Sequence, residues 1–296
     1  MLNQKIKLDY NGELETYIID SQISHNVHKK RPAIIICPGG GYMKHAKRES
    51  EPVALDFMQK GYHCFILRYS VAMDGDRVKD EKDSNLKYPI QVLQLMESIH
   101  IVKEKAESWF IDSDQIYIMG FSAGGHVCAS LGVRWNDETL TNQLSFIPKK
   151  NELRPTGMIL GYPMLSDNTE EFNQLYNYQF NEKTLKVMNN VLYQTDKPSQ
   201  SQIDSVNLIN YISKDTIPTF IWHSVDDCVV DSRNSTKFIE KLVEYNIPCE
   251  YHLFGHGTHG KSLSNELTSM NEDETDRHLN LWTLLSHYWM KKNRRN

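Results

Sequence analysis

Short apolar runs rich in β-branched and aromatic residues recur along this chain, separated by longer stretches with helical spacing, and no other feature restricts its fold as much. The runs are AIIIC (33–37), HCFILRY (63–69), QIYIM (115–119), GMILGY (157–162), TFIWH (219–223) and CEYHLF (249–254). Several are apolar at almost every position, as strands covered on both faces are. Between them, Val92, Leu95, Ile99, Val102 and Ala106 follow the 3, 4, 3, 4 spacing of one buried helical face, with Pro89 in the first turn. Asp231 or Ser232 is placed to cap a second helix carrying Ser235, Phe238, Leu242 and Tyr245, and His278, Trp282, Leu285 and Trp289 mark a third. Strands that alternate with helices need crossover connections. That predicts an α/β fold, a mostly parallel central sheet flanked by helices on both faces. KIKLDY and LETYIID, split by Asn11-Gly12, predict an antiparallel hairpin added at one edge.

The 296 residues are expected to form a single domain. Residues 134–155 are polar and read as a loop. Residues 164–216 lack clear strands and are interrupted by TDKPSQSQ; this is too long for a plain connection, so a cap-like insertion over one end of the sheet is expected. A net charge of -5 and a pI near 6.2 provide no field that would draw nucleic acid or anionic lipid, and neither is expected as a partner. The basic run KKNRR (291–295) reads as a solvated tail. The 5 cysteines are scattered and lack CxxC spacing, which suggests small buried residues in a reducing compartment rather than a disulfide or metal framework. No run approaches the roughly 18 apolar residues of a membrane span, and no apolar h-region follows the N-terminus, so the expected address is cytoplasmic.

The chemistry is concentrated in IYIMGFSAGGH (116–126), where Ser122 sits between glycines at a predicted strand-to-helix junction. A sharp turn there forces the serine into a strained geometry and exposes its hydroxyl above the sheet, and Gly120 and Gly124 remove the β-carbons that would clash. The helix that follows aims its N-terminal amides at developing negative charge. A serine is a poor nucleophile without a base. YHLFGHGTHG offers His252 inside the last strand and His256 and His259 in the loop beyond; His259 is favoured, with His256 its nearest competitor. An imidazole in this role needs a carboxylate to fix its tautomer. TFIWHSVDD supplies Asp226 and Asp227 directly after a strand, and Asp227 is preferred because it lies one residue farther into the loop. Acyl transfer also needs amide donors for an oxyanion. CPGGGY places Gly39, Gly40 and Gly41 after the first central strand, and the Ala123 amide would complete the set.

Taken in order, CPGGGY with RESEPVAL, FILRYSV, IDSDQIYIMGFSAGGH, GYP, WHSVDDCVV and HLFGHGTHG span nearly the whole chain. The pattern resembles the α/β-hydrolase fold, and within it the acetyl-esterase branch related to xylan and oligosaccharide acetyl esterases. The resemblance implies Ser122 as nucleophile, Asp227 as acid and His259 as base, with the Gly40, Gly41 and Ala123 amides as the oxyanion hole. It implies a carboxylesterase acting on a small-molecule, short-acyl sugar ester without metal or organic cofactor, homo-oligomerisation being left open. Pro38 stands where lipid-ester relatives carry a histidine, and Ser224 and Asp231 depart from the usual H-G-x-x-D-x-x-V-P acid motif. Tyr42, Tyr69 and Tyr162, near strand ends, are candidates to stack on a sugar, with core packing the competing role; of these Tyr42 and Tyr162 are the expected substrate-binding residues. The same triad could cleave an amide or peptide, and a non-catalytic binding homologue is the rival from outside enzymology.

Overall fold

Pairing of eight strands through the middle of the chain builds the scaffold seen in a computed structural model, which describes residues 1–25, 27–80, 83–166 and 182–293. The strands are β1 (Lys5–Lys7), β2 (Glu13–Tyr17), β3 (Arg31–Cys37), β4 (His63–Arg68), β5 (Ile111–Phe121), β6 (Gly157–Gly161), β7 (Thr219–Ser224) and β8 (Cys249–Phe254). Their spatial order is β1-β2-β4-β3-β5-β6-β7-β8. From β4 to β8 every pairing is parallel, and the β1–β2 hairpin joins β4 antiparallel. The hairpin forms where expected, but its turn does not use Asn11-Gly12 as a two-residue connection. Tyr10 and Asn11 take the left-handed backbone, while Gly12 has φ -75°.

Among the described residues seven principal helices accompany the sheet: α1 (Glu51–Gln59), α2 (Ile90–Glu104), α3 (Ala123–Arg134), α4 (Glu182–Tyr193), α5 (Gln200–Val206), α6 (Arg233–Glu244) and α7 (Trp282–Lys292). Side chains alternate across the strands with period 2, so each face has its own core. Ala33, Ile35, Ile116, Ile118, Met158 and Leu160 pack with α2, α3 and α6. Ile34, Ile36, Tyr117, Met119, Phe220 and Trp222 pack with Val53 and Phe57 of α1 and Trp282 and Trp289 of α7. Each such aliphatic or aromatic side chain contributes roughly 1.5–3 kcal/mol on burial, which explains why the strands read as continuous apolar runs.

Local departures have local causes. Asp231, rather than Ser232, caps α6, its carboxylate accepting from the Arg233 amide at 2.8 Å. The C-terminal helix is broken at Leu281, with a short turn of helix at Arg277–Asn280 before α7. Within 134–155, Asp137 caps a four-residue helix, Glu138–Thr141. The expected insertion holds α4, α5 and a 3₁₀ turn at Leu208–Tyr211; its residues 167–181 lie outside the described residues. No helix among the described residues is long and apolar enough to cross a membrane.

Candidate active site

The carboxyl ends of β3, β5, β7 and β8 deliver the sequence-predicted residues to one rim of the sheet, the edge at which open α/β sheets bind ligands. Ser122 follows β5 directly and holds φ 51° and ψ -119°, a conformation costly for a residue with a β-carbon. Backbone contacts force it there. A β-carbon on Gly120 would lie 2.2 Å from the Gly124 carbonyl oxygen, and one on Gly124 would lie 2.0 Å from the Cys37 oxygen. Strand β5, helix α3 and the end of β3 therefore approach as backbones, and the serine side chain is left outside. Its amide donates to the Gly161 oxygen of the neighbouring strand at 3.1 Å, which fixes the elbow to the sheet.

Ser122 Oγ donates to His259 Nε2 at 2.9 Å, and His259 Nδ1 donates to Asp227 Oδ2 at 2.7 Å. These three side chains, 137 and 32 residues apart in the chain, form one hydrogen-bonded line. Asp227 is 1% exposed. Its Oδ1 accepts from the Val229 and Val230 amides at 2.9 and 3.0 Å. Burial alone would push its carboxyl up. Hydrogen bonds from His223 and His259 outweigh that and hold it well below the usual carboxylate range, so it stays charged.

His223 is a member of the site that sequence reasoning missed. Its Nε2 faces Asp227 Oδ2 at 3.2 Å and the Val230 carbonyl at 3.0 Å, both acceptors, so that nitrogen carries the proton; Nδ1 then accepts from Ser235 Oγ at 2.8 Å. The acid is thus held between two imidazoles, one buried and one at the cavity. The signal lay in the motif WHSVDD, where the histidine four residues before the acid reads equally well as strand filler. The alternatives Asp226 and His256 do not reach Ser122. They face one another at 3.5 Å on the surface, with side chains 45% and 93% exposed, and Asp226 also accepts from the Gly257 amide. His252 pairs with Glu250 on β8.

Gly40, Gly41 and Ala123 line the same cavity as Ser122 and His259. Gly40 and Gly41 have φ 123° and 63°, and a β-carbon on Gly40 would lie 2.0 Å from the Lys44 oxygen, so the loop needs glycine to take its course. Among the described residues no acceptor pairs with the amides of Gly40, Gly41 or Ala123. The cavity, about 1150 Å³, is walled by Met43, Met164, Val229 and Val230 and roofed by Leu185, Met188 and Leu192 of α4. Charged groups, Arg48 and Arg68 among them, line it as well. Among the described residues no cluster of three or more His, Cys, Asp or Glu side chains could hold a metal.

The two tyrosines expected to bind substrate do not line this cavity. Tyr42 is fully buried and donates to His126 Nδ1 at 2.6 Å, and His126 Nε2 donates to the Val206 carbonyl. Tyr162, 2% exposed, donates to Glu49 Oε1 at 2.8 Å. Tyr69 donates to the Pro38 carbonyl from the core. A buried phenol needs a partner for its hydroxyl, and each ring turns inward to meet one.

A protein-family model described as BD-FAE matches residues 19–242 of this chain. The chain belongs to the BD-FAE family. Among named relatives of this member, an endo-1,4-beta-xylanase B of Butyrivibrio fibrisolvens is 29% identical over 87% of the chain, which spans only 37% of that enzyme's own length. An acetyl ester-xyloside bifunctional hydrolase from Caldicellulosiruptor lactoaceticus is 28% identical, with a TM-score of 0.70 over 96% of this chain and 89% of the other. The carboxylesterase Cest-2923 from Lactobacillus plantarum, 23% identical, shares the fold along the full length of both chains with a TM-score of 0.80. This BD-FAE member therefore has the α/β-hydrolase fold, and its structural neighbours include carboxylesterases.

Proposed function

We propose that this chain is a serine carboxylesterase that removes short acyl groups, acetyl above all, from a sugar or small oligosaccharide. One observation carries the reading: Ser122, His259 and Asp227 form a continuous hydrogen-bonded line opening on a cavity lined by Gly40, Gly41 and Ala123. His259 Nε2 takes the Ser122 proton as Oγ attacks the ester carbonyl. The tetrahedral oxyanion is met by backbone N–H groups, each such donor being worth roughly 10²–10³ in rate. His259 returns the proton to the departing alcohol, then activates the water that releases the acid, while ionised Asp227 steadies the imidazolium. Residue chemistry closes this cycle without an added cofactor. The cavity, about 1150 Å³, is slightly larger than the roughly 300–1,000 Å³ typical of small-molecule sites, which suits an alcohol larger than one ring. The acetyl-ester and xyloside chemistry named for the Caldicellulosiruptor neighbour supports the choice of substrate class. Five free cysteines, three of them buried, support a reducing, cytoplasmic address.

Hydrolysis of 4-nitrophenyl acetate, butyrate and octanoate, beside acetylated xylose and xylobiose, tests the reading. The acetate and the acetylated sugars should turn over fastest, Ser122→Ala should abolish the reaction, and an aryl phosphonate should label Ser122 by mass spectrometry. An unlabelled serine, or faster cleavage of 4-nitroacetanilide than of the acetate ester, would overturn it.

A further inference from the structure

The mechanism above makes no use of Glu49, a buried carboxylate beside the site. Glu49 is 3% exposed, follows the glycine loop and precedes α1. A carboxylate removed from water costs several kcal/mol unless donors meet it, and this one is met at both oxygens. Oε2 accepts from the Gly39 amide at 2.6 Å, and Oε1 accepts from the Tyr162 hydroxyl at 2.8 Å. The contact with Gly39 admits no side chain. A β-carbon there would lie 2.7 Å from Glu49 Oε2 and 3.0 Å from the Ser122 β-carbon. Glu49 thus packs behind the segment that presents the Gly40 and Gly41 amides.

The second oxygen leads to the histidine. Tyr162 is held at φ 37°, and its hydroxyl also accepts from the Ser262 amide at 3.1 Å, three residues past His259. Its ring meets the His259 ring edge-on, with centroids 4.9 Å apart. The Ser262 hydroxyl donates back to the Arg48 carbonyl at 2.6 Å, which closes a circuit from Gly39 through Glu49, Tyr162 and Ser262 to the residue before Glu49. Burial pushes the Glu49 carboxyl up, opposed by the Tyr162 and Gly39 hydrogen bonds and by the charge of His259.

We propose that Glu49 is a positioning residue that sets the oxyanion loop against the His259 loop through Tyr162, and whose charge favours the imidazolium formed during turnover. This rests on the esterase reading. Glu49 lies in the cavity wall, but both of its oxygens are taken up by Gly39 and Tyr162, so both roles act on kcat more than on KM. Glu49→Gln keeps the volume, but its single amide oxygen can satisfy Gly39 or Tyr162, not both, and the charge is gone. With 4-nitrophenyl acetate, Glu49→Gln should lower kcat about tenfold or more with KM held within about threefold, as for loss of a preorganised group acting in the transition state. Tyr162→Phe keeps the ring against His259 and should lower kcat less. The double variant should be no slower than Glu49→Gln alone, because the two side chains act as one unit. A folded Glu49→Gln enzyme with kcat within about twofold of the parent, or additive losses in the double variant, would overturn the proposal. Should Glu49→Gln not fold, Tyr162→Phe decides: a lowered kcat at constant KM supports the circuit and an unchanged kcat sinks it. A parent chain that hydrolyses no ester would instead remove the underlying reading.

Discussion

Asp226 and Asp227 are adjacent in sequence and follow the same strand, yet they occupy opposite electrostatic worlds. Asp227 is buried and accepts from two backbone amides and two histidines, whereas the Asp226 side chain is 45% exposed beside an exposed His256. The rule that separates them is desolvation: an ion pair in water is worth about 0–1 kcal/mol, while a buried, fully hydrogen-bonded carboxylate orients whatever faces it. Asp227→Asn would leave a neutral amide facing His259 and permit the wrong imidazole tautomer, so kcat for aryl acetate should fall roughly 10³–10⁴-fold. Asp226→Asn and His256→Asn should stay within about twofold of the parent, as surface changes do. Steady-state kinetics on the three purified variants checks both arms, and a larger loss at Asp226 than at Asp227 would reverse the assignment. The preference for the second aspartate could be argued from loop position alone. The presence of His223 on its other side could not, because a histidine inside an apolar strand gives no sign of which way its ring nitrogens point.

At the scale of elements, the site depends on how closely β5, α3 and the end of β3 approach, and glycine decides that approach at two positions. Gly124 leaves 2.0 Å between its missing β-carbon and a backbone oxygen, which cannot swing aside as a side chain would; at Gly255 a β-carbon would meet nothing within 4 Å. Gly124→Ala should therefore cost about 3 kcal/mol or more, at or beyond the upper range for overpacking, and lower catalysis with stability. Gly255→Ala should fall within about 0.5 kcal/mol of the parent. Urea denaturation followed by tryptophan fluorescence measures both, and equal midpoints would show that the elbow is looser than its geometry requires. The same contrast explains what the sequence could convey. Ile34, Ile36, Tyr117 and Met119 are apolar because both faces of their strands are covered, and continuous apolar runs are visible locally. Short paired strands also lie at Gln22–Ser24 with Val27–His28 and at Met73–Asp74 with Arg77–Val78; each has two or three residues with little burial, so no period could emerge from them. Tyr42 and Tyr162 were misplaced for a third reason. Their partners, His126 and Glu49, are 84 and 113 residues away, and a tyrosine beside a glycine turn looks the same whether it faces ligand or core.

Across the whole molecule, three imidazoles, His63 and His126 buried and His45 half-buried, impose one pH dependence on stability. Burial lowers His45, His63 and His126 each from 6.5 to about 4. Hydrogen bonding explains why two of them resist a second proton. His63 Nδ1 accepts from the Ile19 amide, so protonation there would set donor against donor, and His126 Nδ1 accepts from the Tyr42 hydroxyl, which protonation would deprive of its acceptor. Between pH 4 and 6.5 the unfolded chain binds protons that the folded chain refuses, so stability rises with pH through that window and is lost as pH falls. Asp227, with its carboxyl held low, acts in the same direction at more acidic pH: its contribution is present above its unfolded value and disappears as it is protonated. Glu49, with its carboxyl pushed up, opposes both. Each neutral histidine adds a slope of up to about 1.4 kcal/mol per pH unit within the window. Urea midpoints measured from pH 7.5 to 4.5 should therefore fall steadily below pH 6.5. His63→Asn supplies a carbonyl oxygen to the Ile19 amide without a titrating ring, and should make that fall shallower by up to one proton's slope. A midpoint that is flat over this range, or a His63→Asn curve parallel to the parent's, would show that these rings are not held neutral by the fold.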